Sequence, residues 1–144
     1  MFYLIYTSQS KNPWTEDSLR ELLITSAHNN RQLDITGMLV FMKDRFIQVL
    51  EGSKLVVENL YQKIAKDPRH EKVTVLLEGN SSERIFKNWA MGFKLLKDEE
   101  LENLTGYRDL SSFFKNDSIT DESHPALIFL KLFYDRNLQD LIEN

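Results

Sequence analysis

The stretch Phe46-Ile47-Gln48-Val49-Leu50-Glu51-Gly52 constrains the fold more than any other part of the chain. Successive side chains of a strand point to opposite faces, so Phe46, Gln48 and Leu50 share one face and Ile47, Val49 and Glu51 the other. It reads as a buried strand with an amide in its middle. An unpaired buried amide costs about 1–3 kcal/mol, so Gln48 must find hydrogen-bond partners. The ordinary solution is a neighbouring side chain or a water. Yet other polar residues recur in this chain where apolar faces should continue.

Residues 2–7 are aromatic and β-branched, a first strand with Phe2, Leu4 and Tyr6 on one face. The loop 7–13 contains no glycine. Thr15 is a good helix N-cap, with Glu16 and Asp17 suited to the first turn. Leu19, Leu22, Leu23, Ser26, Ala27 and Asn30 then follow one helical face, which ends in an amide. Residues 35–42 and 46–51 are two strands joined by the polar turn Lys43-Asp44-Arg45, a hairpin. Ser53 caps a second helix whose inner face carries Val56, Val57, Leu60 and Ile64. One further step lands on Asp67, and Pro68 ends the helix. Strands follow at 73–78 and 86–93, the latter with Trp89, Met91 and Phe93 on one side.

This order, β-α-β-β-α-β-β, predicts an α+β ferredoxin-like fold: a five-stranded mixed sheet with two helices on one face. The first and third strands are expected at its centre and parallel, with both helix C-termini at the same end. The helices then flank a cleft with Asn30 and Asp67 at one mouth and Tyr6 and Gln48 on the floor. Such a cleft suits a long, flat, apolar ligand with polar edges. The chain divides into a domain at 1–97 and a helical extension at 98–144. The extension's last helix, 125–142, is apolar nearly all round at Ala126–Leu130, so it is expected to pack on the free sheet face and to offer surface to a partner or a second copy.

A net charge of −4 and a pI near 5.4 argue against nucleic acid as a partner. The strand 46–52 lacks the aromatic and basic pattern of an RNA-recognition module. His28, His70 and His124 share no metal-ligand spacing, so no metal is expected. The absence of glycine from loop 7–13 removes the anion cradle that an acylphosphatase-type enzyme on this plan would need. With no cysteine there are no disulfides and no thiolate nucleophile. No signal-peptide pattern and no apolar stretch of membrane-spanning length is seen, which reads as a cytoplasmic protein without a membrane partner.

Several pieces together resemble the BLUF domain, a flavin-binding blue-light sensor. They are Tyr6-x-Ser8, Asn29-Asn30, Asp34-Ile35-Thr36-Gly37-Met38-Leu39, Phe46-x-Gln48-x-Leu50-Glu51-Gly52, Asp67-x-Arg69-His70, and Arg84-x-Phe86-x-x-Trp89-x-Met91-Gly92-Phe93. The resemblance implies an oxidised, non-covalently bound flavin, FAD in first place with FMN and riboflavin also open. The absence of cysteine rules out flavin–thiol adduct chemistry. By resemblance, Tyr6 is the electron donor and Gln48 the switching group, with Trp89 and Met91 relaying its state. Asn30 would bond the ring edge, and Leu22 and Ile64 would sandwich the ring beside Ser26. Asp67, Arg69 and His70 match positions near the ribityl and phosphate end. Lys63 stands where some relatives carry arginine, and Asn29 where some have histidine; a lysine can meet phosphate but lacks the bidentate fork.

A phenol's pKa is about 10, so Tyr6 is neutral in the dark. Its oxidation makes the phenolic proton strongly acidic, and an amide with donors and an acceptor is suited to take it. The expected output is association, as a homo-oligomer and with a separate downstream signalling protein, rather than catalysis: no enzyme is expected. The competing reading is a ferredoxin-like binding or interaction module without photochemistry.

Overall fold

The computed structural model describes residues 1–42, 44–87, 92–95, 124–126, 128–130 and 132. Its elements run β1 (Phe2–Ser10), α1 (Glu16–Gln32), β2 (Thr36–Met42), β3 (Arg45–Gly52), α2 (Lys54–Ala65), β4 (His70–Asn80) and β5 (Gly92–Leu95). The strands form one sheet in the order β4-β1-β3-β2-β5. This is the α+β ferredoxin-like plan with an added strand. Only the β2–β5 pair is parallel among the described strands, which makes the sheet mixed.

One expectation fails. β1 and β3 are antiparallel, with Tyr6 directly opposite Gln48. The β2–β3 hairpin is antiparallel, and a right-handed β1-α1-β2 crossover sets β1 parallel to β2. β1 must then oppose β3. The same reasoning turns α1 and α2 against each other, so their C-termini lie at opposite ends of the sheet, not at one mouth. The carbonyl of Asn30 accepts from Ile35 N at 2.8 Å, at the entry to β2. His70, just beyond α2, instead pairs with Ser10 at the far end of β1.

The sheet alternation divides the core as predicted. Phe2, Leu4, Tyr6, Leu39, Phe46 and Leu50 meet Leu19 and Leu23 of α1 and Val57 of α2. On the other face Ile5, Met38, Val40, Ile47 and Val49 are covered by Phe86 and by the helical residues Ala126 and Leu130. The described residues Ala126, Phe129 and Leu130 therefore pack on the sheet face away from the two helices.

Local signals explain the boundaries. Thr15 caps α1 through a reciprocal box: its hydroxyl accepts from Ser18 N at 3.0 Å, and Ser18 Oγ accepts from Thr15 N at 2.9 Å. Ser53 occupies the N-cap of α2, but its hydroxyl makes no capping bond; only its carbonyl accepts, from Val57 N. The last strand is described over Gly92–Leu95, and residues 86 and 87, expected to begin it, are not strand. Ile85 and Phe86 give their N–H groups to the Glu51 carboxylate and not to a strand ladder. Trp89 and Met91 lie outside the described residues.

Candidate functional site

The cross-strand register builds the centre of the site. Residues directly opposite in an antiparallel pair put their Cβ atoms about 4.5–5.5 Å apart on the same face. Tyr6 and Gln48 are such a pair, and Leu39 faces Gln48 from the other side. The Tyr6 hydroxyl donates to Gln48 Oε1. Both are buried, at 4% and 6% exposure. An acceptor-bound Oε1 leaves the amide's two N–H donors for other partners. Burial pushes the Tyr6 phenol far above its ordinary value, and the nearby Tyr61 and Asp67 add to the effect. The Tyr6 and Tyr61 rings stand 5.7 Å apart. Tyr6 is thus held neutral, with its hydroxyl proton directed at the Gln48 amide oxygen.

Around this pair lies a groove between α1 and α2, enclosing about 210 Å³. Its floor is Tyr6, Leu39, Phe46 and Gln48. α1 contributes Leu22 and a polar strip of Thr25, Ser26, Asn29 and Asn30; α2 contributes Leu60 and Ile64. Asn30 is 3% exposed although it is an amide at a helix end. Trp14, Asp67, Arg69 and His70 line the other end.

That end is tied together by charge. The Asp67 carboxylate accepts from Arg69 N at 2.9 Å, from Nε at 3.0 Å and from Nη2 at 2.6 Å. The bonded guanidinium holds the Asp67 carboxyl below the usual range, and the pairing raises Arg69 in turn. Arg69 also sits 5.4 Å over the Trp14 ring, which meets Phe46 edge-on at 5.7 Å. His70 Nε2 donates to the Ile64 carbonyl at 2.5 Å, which in the neutral ring leaves Nδ1 to accept from the Ser8 hydroxyl at 2.8 Å.

The structure thus gathers Tyr6, Leu22, Ser26, Asn30, Gln48, Ile64, Asp67, Arg69 and His70 around one groove. Lys63 is exposed and does not line it, because it falls on the outer side of α2. Sequence reasoning missed Trp14, Thr25, Leu39, Phe46 and Leu60 as site residues, and did not place Asn29 on the groove. Leu39 and Phe46 were legible from the strand alternation, and Thr25 and Asn29 from their i, i+4 spacing beside Ser26. Trp14 sits in a loop with no periodicity to expose it. Among the described residues no group of His, Asp and Glu could hold a metal ion, and no helix is long and apolar enough to cross a membrane.

Apolar side chains from α1, α2 and the floor, with amides from Gln48 on the floor and Asn29 and Asn30 on α1, fit a flavin: the ring faces are apolar, and its edge carries carbonyl oxygens and ring nitrogens that amide donors and acceptors can meet. The family profile described as sensors of blue-light using FAD matches residues 1–92, and the chain belongs to this BLUF family of flavin-binding blue-light sensors. A curated relative, the photoactivated adenylate cyclase subunit beta of Euglena gracilis, is 33% identical over 104 residues, covering 71% of this chain. The chain spans only about 12% of that relative's length. The dark-state structure of BlrB, a BLUF protein, superposes with a TM-score of 0.65 at 26% identity and covers 88% of both chains. The photo-activated state of BlsA gives 0.63 at 29% identity, covering 95% of this chain and 94% of the other.

Proposed function

We propose that light-driven, proton-coupled electron loss from Tyr6 rearranges the hydrogen bonds of Gln48, and that the altered protein signals by association with other proteins. The observation that carries this reading is the buried Tyr6–Gln48 hydrogen bond on the groove floor. A bound flavin excited by blue light supplies a one-electron oxidant. Oxidised Tyr6 cannot keep its proton, and the acceptor it touches is Gln48 Oε1. When electron and proton return, Gln48 remains rotated or in another tautomer and offers a different hydrogen bond to its surroundings. Asn30 and Gln48 would hold the ring edge, Leu22 and Ile64 its faces, and Asp67, Arg69 and His70 the tail end.

The photosensory unit extends over residues 1–97, and the extension after it carries the output. Light alters the stretch around Trp89 and Met91 and shifts the packing of the C-terminal helix. The partners are a second copy of the chain and a downstream protein in the cytoplasm, and the chain itself catalyses no reaction. The test is an absorption spectrum before and after blue light. A structured flavin band that moves slightly to the red and recovers in darkness is expected, and Tyr6→Phe should keep the flavin and lose the shift. A Tyr6→Phe protein that still switches normally would remove Tyr6 as the donor. A band that bleaches would mean stable photoreduction and refute the Gln48 switch. A protein that takes up no flavin would be a binding module without photochemistry.

A further inference from the structure

Glu51 lies outside the groove, yet its side chain is fully buried, at 0% exposure. It stands three residues along β3 from Gln48, on the opposite face. A buried carboxylate needs strong donors. Among the described residues it forms no ion pair. Its Oε1 accepts from Ile85 N at 2.6 Å, and its Oε2 from Phe86 N at 2.9 Å and from the Thr36 hydroxyl at 2.9 Å. Two of these donors are main-chain groups of the connection between β4 and β5. Arg84 adds a second fastening: its guanidinium donates to Thr36 Oγ1 at 2.9 Å and to the Asp34 carbonyl at 2.7 Å. It also pairs with the Asp34 carboxylate at 3.1 Å.

The fastened segment reaches the C-terminal helix directly. Phe86 is buried in one cluster with Ile47, Val49, Ala126 and Leu130. His124, at the head of that helix, meets the Tyr3 ring at 4.5 Å, and Tyr3 is the β1 partner of Glu51. A continuous path therefore runs from Gln48 along β3 to the carboxylate, on to Phe86, and into Ala126 and Leu130. Charge-assisted hydrogen bonds of this length leave little slack, so a displacement of β3 is passed to residues 84–86 rather than absorbed.

We propose that Glu51 is a positioning residue that couples Gln48 on the groove face to the docking of the C-terminal helix on the other; this rests on the light-sensing reading above. Were Glu51 merely structural, its replacement would lower stability but leave the light-induced change at the helix intact.

The experiment uses the full chain loaded with FAD, comparing wild type with Glu51→Gln. It reads the flavin band and the light-minus-dark amide exchange of peptides covering 84–86 and 124–132. Glutamine keeps the size but gives up one acceptor to a donor group. The wild type should show a red shift and an exchange difference in both peptides. Glu51→Gln should keep the shift and lose the difference at 124–132 by about fivefold or more, the lower end of ordinary site-to-site coupling. Thr36→Val, which removes one donor and keeps both main-chain bonds, should give a partial loss, and it carries the test if the first variant does not fold. A full exchange difference in the variants, or a wild type that shifts in colour without any change at 124–132, overturns the proposal. A wild type with no colour shift refutes the light-sensing reading itself, and the coupling falls with it.

Discussion

Replacing Gly37 with alanine should be the most damaging single-methyl change in the sheet. A Cβ at Gly37 would lie 2.0 Å from the main-chain oxygen of Val49, on the strand that carries Gln48. A carbonyl oxygen cannot swing aside like a side-chain tip, so β2 and β3 must separate by about 1 Å or more before the contact becomes tolerable. Ladder bonds of about 2.9 Å would open to about 3.9 Å, beyond useful length. Losing two of them at about 1 kcal/mol each, with a further 1–3 kcal/mol for overpacking, gives about 3–5 kcal/mol. With a urea slope of about 2 kcal/mol per molar, the midpoint should fall by about 2 M at unchanged slope. Gly52→Ala and Gly79→Ala are the controls. The first meets its neighbours at 3.2–3.4 Å, and the second meets the hydroxyl end of the Tyr3 ring at 2.9 Å, a side chain that can tilt where a main-chain oxygen cannot. Each should cost less than about 1.5 kcal/mol. Equal midpoints for all three variants would refute the claim that the close approach of β2 to β3 sets the requirement for glycine.

Two further outcomes follow from the charges. Burial holds the folded-state pKa of His124 below 6.5, against the opposing pull of Glu51. Its neutral Nδ1 accepts from Ala126 N at 3.0 Å. The unfolded chain takes up the proton first, so stability at the head of the C-terminal helix is complete above pH 6.5 and is lost as the pH falls below it. Amide exchange at Ala126 and Leu130 should speed up between pH 7.5 and 5.5 relative to the β1 amides; pH-independent relative rates would contradict this. Arg69→Ala releases Asp67, whose carboxyl should return upward towards 3.8, as carboxylate NMR titration can follow. The pair is partly exposed, so the loss of stability should stay under about 1 kcal/mol. Asp67's own contribution is present above its unfolded value and disappears only as the pH falls through its lowered folded one.

The periodic parts of this protein and its β-α-β-β-α-β-β plan were legible, and the relative direction of β1 and β3 was not. Alternation along residues 46–51 assigned Gln48 and Glu51 to opposite faces, and the structure keeps them there. The polar ends of two apolar helical faces pointed to Asn30 and Asp67, and both line the groove. Relative strand direction, however, leaves no mark in residue types. It follows from the hairpin and the crossover together, and the expected parallel pair ignored the hairpin. The early start assigned to the last strand has a different cause. Ile85 and Phe86 look like strand residues, but a carboxylate from another strand captures their N–H groups. Long-range hydrogen bonds of this kind have no local signature. Trp14 escaped notice for a related reason, since what gives it a place is Arg69 and Phe46, remote in sequence.

The antiparallel register has a consequence that can be measured without light. Because Tyr6 and Gln48 are direct cross-strand partners, the stability of each should depend on the other. Tyr6→Phe removes the only hydroxyl of the pair and leaves Gln48 Oε1 short of its donor in a buried site. Gln48→Leu leaves the phenol, in turn, without its acceptor. Each single change should cost about 1–2 kcal/mol, the penalty of a buried polar group that loses this hydrogen bond. The double variant places an apolar pair of similar shape on the groove floor and removes both ends of the hydrogen bond at once. It should therefore lose about 1–2 kcal/mol less than the sum of the singles. Urea midpoints of the four proteins at one fixed FAD concentration give the coupling. Strict additivity would mean that the two side chains do not share a hydrogen bond in solution, and the proton would then have no route from Tyr6 to the amide.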